Sequence, residues 1–174
     1  MVDSKISIKT DRFLLRPLTV EDATPQYASW LDVQSKQGFI VSAKQKNSVK
    51  RVREYIQERE KNSDILFLGI FTHDGACHIG NIKYEPINRT LKYAVMGIMI
   101  GEKEWQGIGV ASEVILASGV FLRQSHGIEE IVLGVDTNNT PAIRAYEKAG
   151  FVIKKTVHVS VGTNNTVSMV LDLN

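Results

Sequence analysis

The residues best suited to chemistry stand six in a row, Gln106-Gly107-Ile108-Gly109-Val110-Ala111, where an apolar strand-like run has ended and an amphipathic helical pattern begins. The first turn of a helix leaves four backbone N–H groups without internal partners, and the helix dipole adds partial positive charge there. Glycines before and within such a turn let an anion approach the backbone closely, which suits a phosphate or pyrophosphate. The same two glycines also suit a loop that needs them only for turn geometry, and the pair alone does not separate the two readings. A dinucleotide fingerprint fits worse, because it wants glycine at Ser112 and an early β-α-β unit. A P-loop needs a Gly-Lys-Ser/Thr that is absent. The four histidines (His73, His78, His126, His158) are scattered without metal-ligand spacing and read as turn and surface residues, so no metal is expected. One cysteine, Cys77, excludes an intramolecular disulfide.

Elements on either side must hold the glycine turn in place. A strand over 12–18 closes at Pro17, and Thr19 with Asp22 in the capping-box position predicts a helix reaching Trp30. A second helix over 48–61 places Val49, Val52 and Ile56 on one face. Lys44, Lys46, Lys50, Arg51, Arg53, Arg59 and Lys61 crowd the same stretch and read as its solvated side. Strands over 65–72, 78–87 and 91–100 form an antiparallel meander, its first turn at His73-Asp74-Gly75-Ala76. The helix over 109–125 follows, with Val110, Val114, Ala117 and Phe121 as its apolar stripe. It crosses over to a strand at 128–135, which is therefore parallel to its neighbour. Thr140-Pro141 starts a short helix ending before Gly150. Strands over 151–160 and 166–173, joined around Gly162-Thr163-Asn164-Asn165, finish the chain. The class is α/β (α+β): a mixed, mostly antiparallel sheet of six to seven strands flanked by about four helices, one domain over 1–174.

Composition bounds the function. Of 174 residues, 43% are hydrophobic and 23% charged, which is globular. A formal charge of +2 does not point to nucleic acid or an anionic membrane as partner. No apolar run approaches a membrane span, and the polar start is no signal peptide, so a cytoplasmic protein is expected.

With the elements laid out, the chain resembles the GNAT N-acetyltransferases. Gln106 to Ala111 matches the family's Gln/Arg-x-x-Gly-x-Gly/Ala element. Asn139-Thr140-Pro141-Ala142, then Ala145-Tyr146-Glu147-Lys148-Ala149-Gly150-Phe151, is similar to its Asn-x-x-Ala…Tyr-Glu-Lys-x-Gly-Phe signature. The opening Thr10-Asp11-Arg12-Phe13-Leu14-Leu15-Arg16-Pro17-Leu18, followed by Glu21-Asp22-Ala23, resembles the branch that acetylates the N-terminal amine of ribosomal proteins.

This resemblance implies acetyl-CoA as co-substrate and direct transfer of its acetyl group to a primary amine. The backbone of Gln106, Gly107, Ile108, Gly109, Val110 and Ala111 would hold the pyrophosphate. Ile98, Met99 and Ile100, after Gly97, would lie along the pantetheine arm, and Asn139 would contact that arm or cap its helix. Tyr146 falls on the tyrosine that commonly protonates the departing thiolate; a phenol near its ordinary pKa of about 10 is a reasonable acid for that step. Some relatives carry a glutamate where this chain has Gly134. Asp136 and Glu85 are then the candidate bases, with a water relay as the alternative. The acceptor would be a protein N-terminus, an amino sugar (including a nucleotide-linked one) or another small amine. A non-catalytic acyl-CoA-binding module would keep the glycine turn without the chemistry. Monomer and homodimer are both compatible.

Overall fold

The computed structural model describes residues 6–36, 48–160 and 165–174. The expected turn at Gly162-Thr163-Asn164, and Lys44 and Lys46 of the basic run, lie outside these described residues. Strands β1 (Ile8–Lys9), β2 (Phe13–Pro17), β3 (Leu66–Thr72), β4 (His78–Asn88), β5 (Tyr93–Ile100), β6 (Glu130–Asp136), β7 (Val152–Ile153) and β8 (Thr166–Asp172) form one sheet in the order β1-β2-β3-β4-β5-β6-β8-β7. Helices α1 (Pro25–Lys36) and α2 (Val49–Glu60) cover one face; α3 (Val110–His126) and α4 (Thr140–Lys148) cover the other.

Period-two alternation explains the two layers. In β3, Leu66, Leu68 and Ile70 join the α3–α4 core with Val114, Ile115 and Leu122, while Phe67 and Phe71 turn to α1 and α2. Tyr27 and Trp30 from α1 and Val52 and Ile56 from α2 complete that second core. Ser48 caps α2 by accepting the Arg51 N–H at 3.3 Å.

Four sequence-based expectations need correction. Eight strands replace six to seven, because the short β1 pairs with β2 at Ile8–Leu15 and Lys9–Leu14. The Asp22 carboxylate accepts the Thr19 N–H at 2.7 Å as a capping box should, but it closes a single 3-10 turn, and α1 starts afresh at Pro25 and runs past Trp30. The strand expected over 151–160 pairs with β8 only at Val152 and Ile153, with Ser168 Oγ donating to Lys154 O just beyond. His78 is no surface residue: its ring stacks on Phe71 at 4.8 Å and meets Trp30 edge-on at 5.0 Å. Burial lowers its pKa, so it stays neutral at physiological pH.

One topological feature positions the site. β5 pairs along its whole length with β4, from Tyr93–Asn88 to Ile100–Gly80. β6 pairs along its whole length with β8, from Glu130–Asp172 to Asp136–Thr166. Between β5 and β6 only three parallel pairs exist, Tyr93–Glu130, Ala94–Ile131 and Val95–Val132. Beyond Val95 and Val132 the two strands part, and the sheet opens as a V.

Candidate active site

The open edge of β5, Met96 to Ile100, leads directly into the glycine turn. Backbone groups of this stretch that face away from β4 have no strand beside them. Gln106 Nε2 donates to Ile100 O at 2.8 Å, which ties the turn back to the end of the strand. Gly107 and Gly109 take φ of +75° and +85°, a left-handed conformation that favours glycine. The N–H groups of Gly107 through Ser112 find no acceptor of hydrogen-bonding geometry among the described residues. These donors follow the end of β5, the strand that lines the split.

Two cations beside the turn were missed by sequence reasoning. A Cβ at Gly109 would lie 3.7 Å from an Arg12 guanidinium nitrogen and 3.8 Å from Lys148 Nζ. Arg12 is held there from both sides: its Nε donates to Glu113 at 2.8 Å and its Nη1 to Ile108 O at 3.2 Å. Glu113 also accepts the Thr10 hydroxyl at 2.6 Å and the Arg12 N–H at 3.0 Å. Burial works to raise the Glu113 carboxyl, but these donors outweigh it and hold it below the usual range. Glu113 in the first turn of α3 is thus committed to Arg12, so its charge opposes a bound anion less. The available signal was partner spacing across more than 90 residues, which a local motif does not contain.

Tyr146 lies on α4, two residues before Lys148, packed against the α3–α4 core and tilted against Phe151 at 5.7 Å. Its hydroxyl has no hydrogen-bond partner among the described residues, and burial pushes its pKa up to about 12. Asn139 caps α4, its side-chain oxygen accepting the Ala142 N–H at 3.4 Å.

The two candidate bases are both engaged. Asp136 accepts from the Asn138 N–H at 2.8 Å and from Asn138 Nδ2 at 2.9 Å, shaping the turn into α4. Glu85 lies 2.7 Å from Lys83 Nζ and 3.1 Å from Arg59 Nε. Burial pushes the Glu85 carboxyl up, yet the two cations prevail and keep it ionised. At Gly134, a Cβ would come within 3.2 Å of Val159 Cγ1, tighter than ordinary contact, so the segment before β8 occupies the place of a side chain there. The split leaves an open strand edge that runs into a left-handed glycine turn and the N-terminus of α3.

The profile of the acetyltransferase (GNAT) domain family matches residues 12–152. The chain belongs to this family. Among solved structures, it is similar to RimL, a ribosomal alpha-N-protein acetyltransferase solved in complex with coenzyme A. The TM-score is 0.78 and the identity 15%, covering 96% of this chain and 98% of the other. Spermidine N-acetyltransferase from Vibrio cholerae, solved with CoA and spermine, matches at a TM-score of 0.75 and 19% identity over 92% and 95% of the two chains. Mycothiol acetyltransferase from Corynebacterium glutamicum (strain R) is 29% identical over 93 residues, 53% of this chain and 30% of the relative. The match thus spans about a third of that relative's length. No helix among the described residues is long and apolar enough to cross a membrane.

Proposed function

We propose that this GNAT chain, acting as one domain in the cytoplasm, transfers the acetyl group of acetyl-CoA directly to a primary amine, and that the amine is the N-terminus of a protein. The single observation that carries the transfer is the split between β5 and β6 leading into the glycine turn. Acetyl-CoA supplies an activated acyl group on sulfur. The N–H groups of Gly107 to Ser112, with Arg12 and Lys148 beside them, hold its phosphates. Along the open edge Ile98 and Ile100 turn their N–H groups away from β4 toward its amide-bearing arm, which stands in for the missing strand, while the backbone of Met99 pairs with Asn81. Asn139 serves as the helix cap that fixes α4.

Tyr146 gives its proton to the departing thiolate, and the proton lost by the acceptor amine leaves to water. Burial raises its pKa to about 12 rather than the ordinary value of about 10 expected from the sequence, so the phenol stays protonated throughout the physiological range and is a weaker acid than expected. We assign the base to neither Asp136 nor Glu85, because Asp136 Oδ1 shapes the turn into α4 and Glu85 is paired with two cations. The acceptor assignment rests on the opening segment's likeness to the ribosomal-protein branch and on the structural likeness to RimL.

The test is release of free thiol from acetyl-CoA with a short peptide bearing a free N-terminus, the same peptide N-terminally blocked, and glucosamine. Turnover confined to the free peptide supports the proposal. Turnover of glucosamine alone replaces the acceptor with an amino sugar. Tight acetyl-CoA binding without turnover makes the chain an acyl-CoA-binding module.

A further inference from the structure

On the α1–α2 side of the sheet, the opening is floored by Gly97. Met96 and Ile98 pack toward α3 and α4, and Met99 packs beneath α1, but nothing lies within 4 Å of where a Gly97 side chain would begin. Gly97 stands two residues past Val95, where β6 has already left, so the space above it is continuous with the split. Directly across the ladder, opposite Gly97, is Lys83. Opposed residues in an antiparallel pair have Cβ atoms only about 5 Å apart, so Lys83 borders the space above Gly97 on the same face, its arm leaning toward α2 and leaving that space open.

The Lys83 ammonium is fixed on the α2 side of that space. Its Nζ donates to the Tyr55 hydroxyl at 2.6 Å and meets Glu85 at 2.7 Å. An ammonium has three donors, so one remains for a ligand. Arg59 approaches Glu85 from behind at 3.1 Å and stacks on the Tyr55 ring at 3.3 Å. Glu58 touches Arg59 at 3.6 Å, but its side chain is 75% exposed and points to solvent. Around the Lys83 ammonium two cations therefore stand against one carboxylate, and both cations engage the same oxygen of it. Such a cluster attracts negative oxygen and repels a second ammonium.

We propose that Lys83 is the residue that selects the acceptor, holding an anionic oxygen group, carboxylate or phosphate, carried by the amine substrate, and that polyamines are excluded. This rests on the acetyl-transfer reading above and deepens it. A charge-assisted hydrogen bond of this kind is worth about 10-fold or more in kcat/KM.

The experiment measures kcat/KM for thiol release with two matched acceptor pairs and spermidine. One pair is a short free peptide with aspartate at its second residue and the same peptide with asparagine there; the other is glucosamine 6-phosphate and glucosamine. The wild-type chain is expected to prefer the anionic member of one pair about 10-fold or more, the pair identifying carboxylate or phosphate as the group held. Lys83→Gln should lose that preference and Lys83→Arg should restore it, with acetyl-CoA affinity by calorimetry unchanged in both. Turnover without charge preference, preference for spermidine, or a preference that survives in Lys83→Gln overturns this proposal alone. Acetyl-CoA binding with no turnover of any acceptor overturns the acetyl-transfer reading and this proposal with it.

Discussion

Replacing each of the two turn glycines by alanine separates backbone strain from phosphate binding. Gly107 and Gly109 have nearly the same left-handed φ, +75° and +85°. An L-residue there costs about 1–2 kcal/mol, partly offset because alanine also restricts the unfolded chain by about 0.4–1 kcal/mol. Each variant should therefore lose about 1 kcal/mol and about 2–4 °C in Tm. Their surroundings differ. A methyl at Gly107 meets nothing within 4 Å, whereas one at Gly109 stands 3.7 Å from Arg12 and 3.8 Å from Lys148. In the proposed phosphate site it would occupy the place of an anion that touches both cations and the N–H groups of α3. Displacing one charge-assisted hydrogen bond costs about 1.5–3 kcal/mol, so Gly109→Ala should weaken coenzyme A binding about 10- to 100-fold. Gly107→Ala should bind nearly as the parent does. Thermal unfolding and calorimetric titration with coenzyme A measure both quantities. Equal Kd values for the two variants, alongside equal losses in Tm, would refute the phosphate cradle.

Tyr146→Phe should lower kcat about 100-fold while leaving coenzyme A affinity and Tm in place, because the lost hydroxyl has no partner among the described residues; equal turnover would reduce the ring to packing. Since the phenol titrates only at about 12, kcat should show no alkaline limb from Tyr146 below about pH 11. Ser118→Ala should destabilise by about 1–3 kcal/mol in denaturant titration, because it strips the buried Tyr84 hydroxyl of its partner at 2.7 Å. Asp22 is raised by burial but more strongly lowered by Arg16, at 2.8 Å, and by the Thr19 N–H, so its folded pKa lies below its unfolded one. Its stabilisation is full above the unfolded value of about 3.9 and fades as pH falls through the folded value; Asp22→Asn should flatten the acid limb of stability there. Asp136→Asn keeps a side-chain oxygen for the turn, so turnover should persist; a loss of about 100-fold or more would instead identify Asp136 as the base.

What was legible in the sequence was local. Thr19 announced its capping box, Asp74-Gly75 its hairpin, and the spacing of Val110 and Val114 the buried face of α3, because each depends on residues a turn apart. The glycine turn was legible for the same reason. Arg12 was not, because its position depends on Glu113, brought near by the pairing of β2 with the rest of the sheet. His78 shows the same limit: an isolated histidine at a strand start carries no sign that Tyr27, Trp30 and Phe71 close around it. The 151–160 segment had strand composition, but Val157, 94% exposed, and Val159, seated over Gly134, belong to a covering loop.

The split itself sets stability and binding against each other. Three parallel pairs join two half-sheets that are each fully paired on their other sides, so they cannot hold the halves together alone. The α3–α4 core does so, since it contains Ala94 from β5, Ile131 and Leu133 from β6 and Met169 from β8 in one cluster. Closing the V would pair Met96 to Ile100 with β6 and gain strand hydrogen bonds, but it would remove the edge a cofactor arm needs. An open edge of this kind normally invites another chain. Here it is inside a V, a few residues long, and it ends at the glycine turn, so an extended molecule narrower than a polypeptide and charged at one end fits it better than a strand does. The same geometry that leaves those backbone groups unpaired therefore also selects what may pair with them.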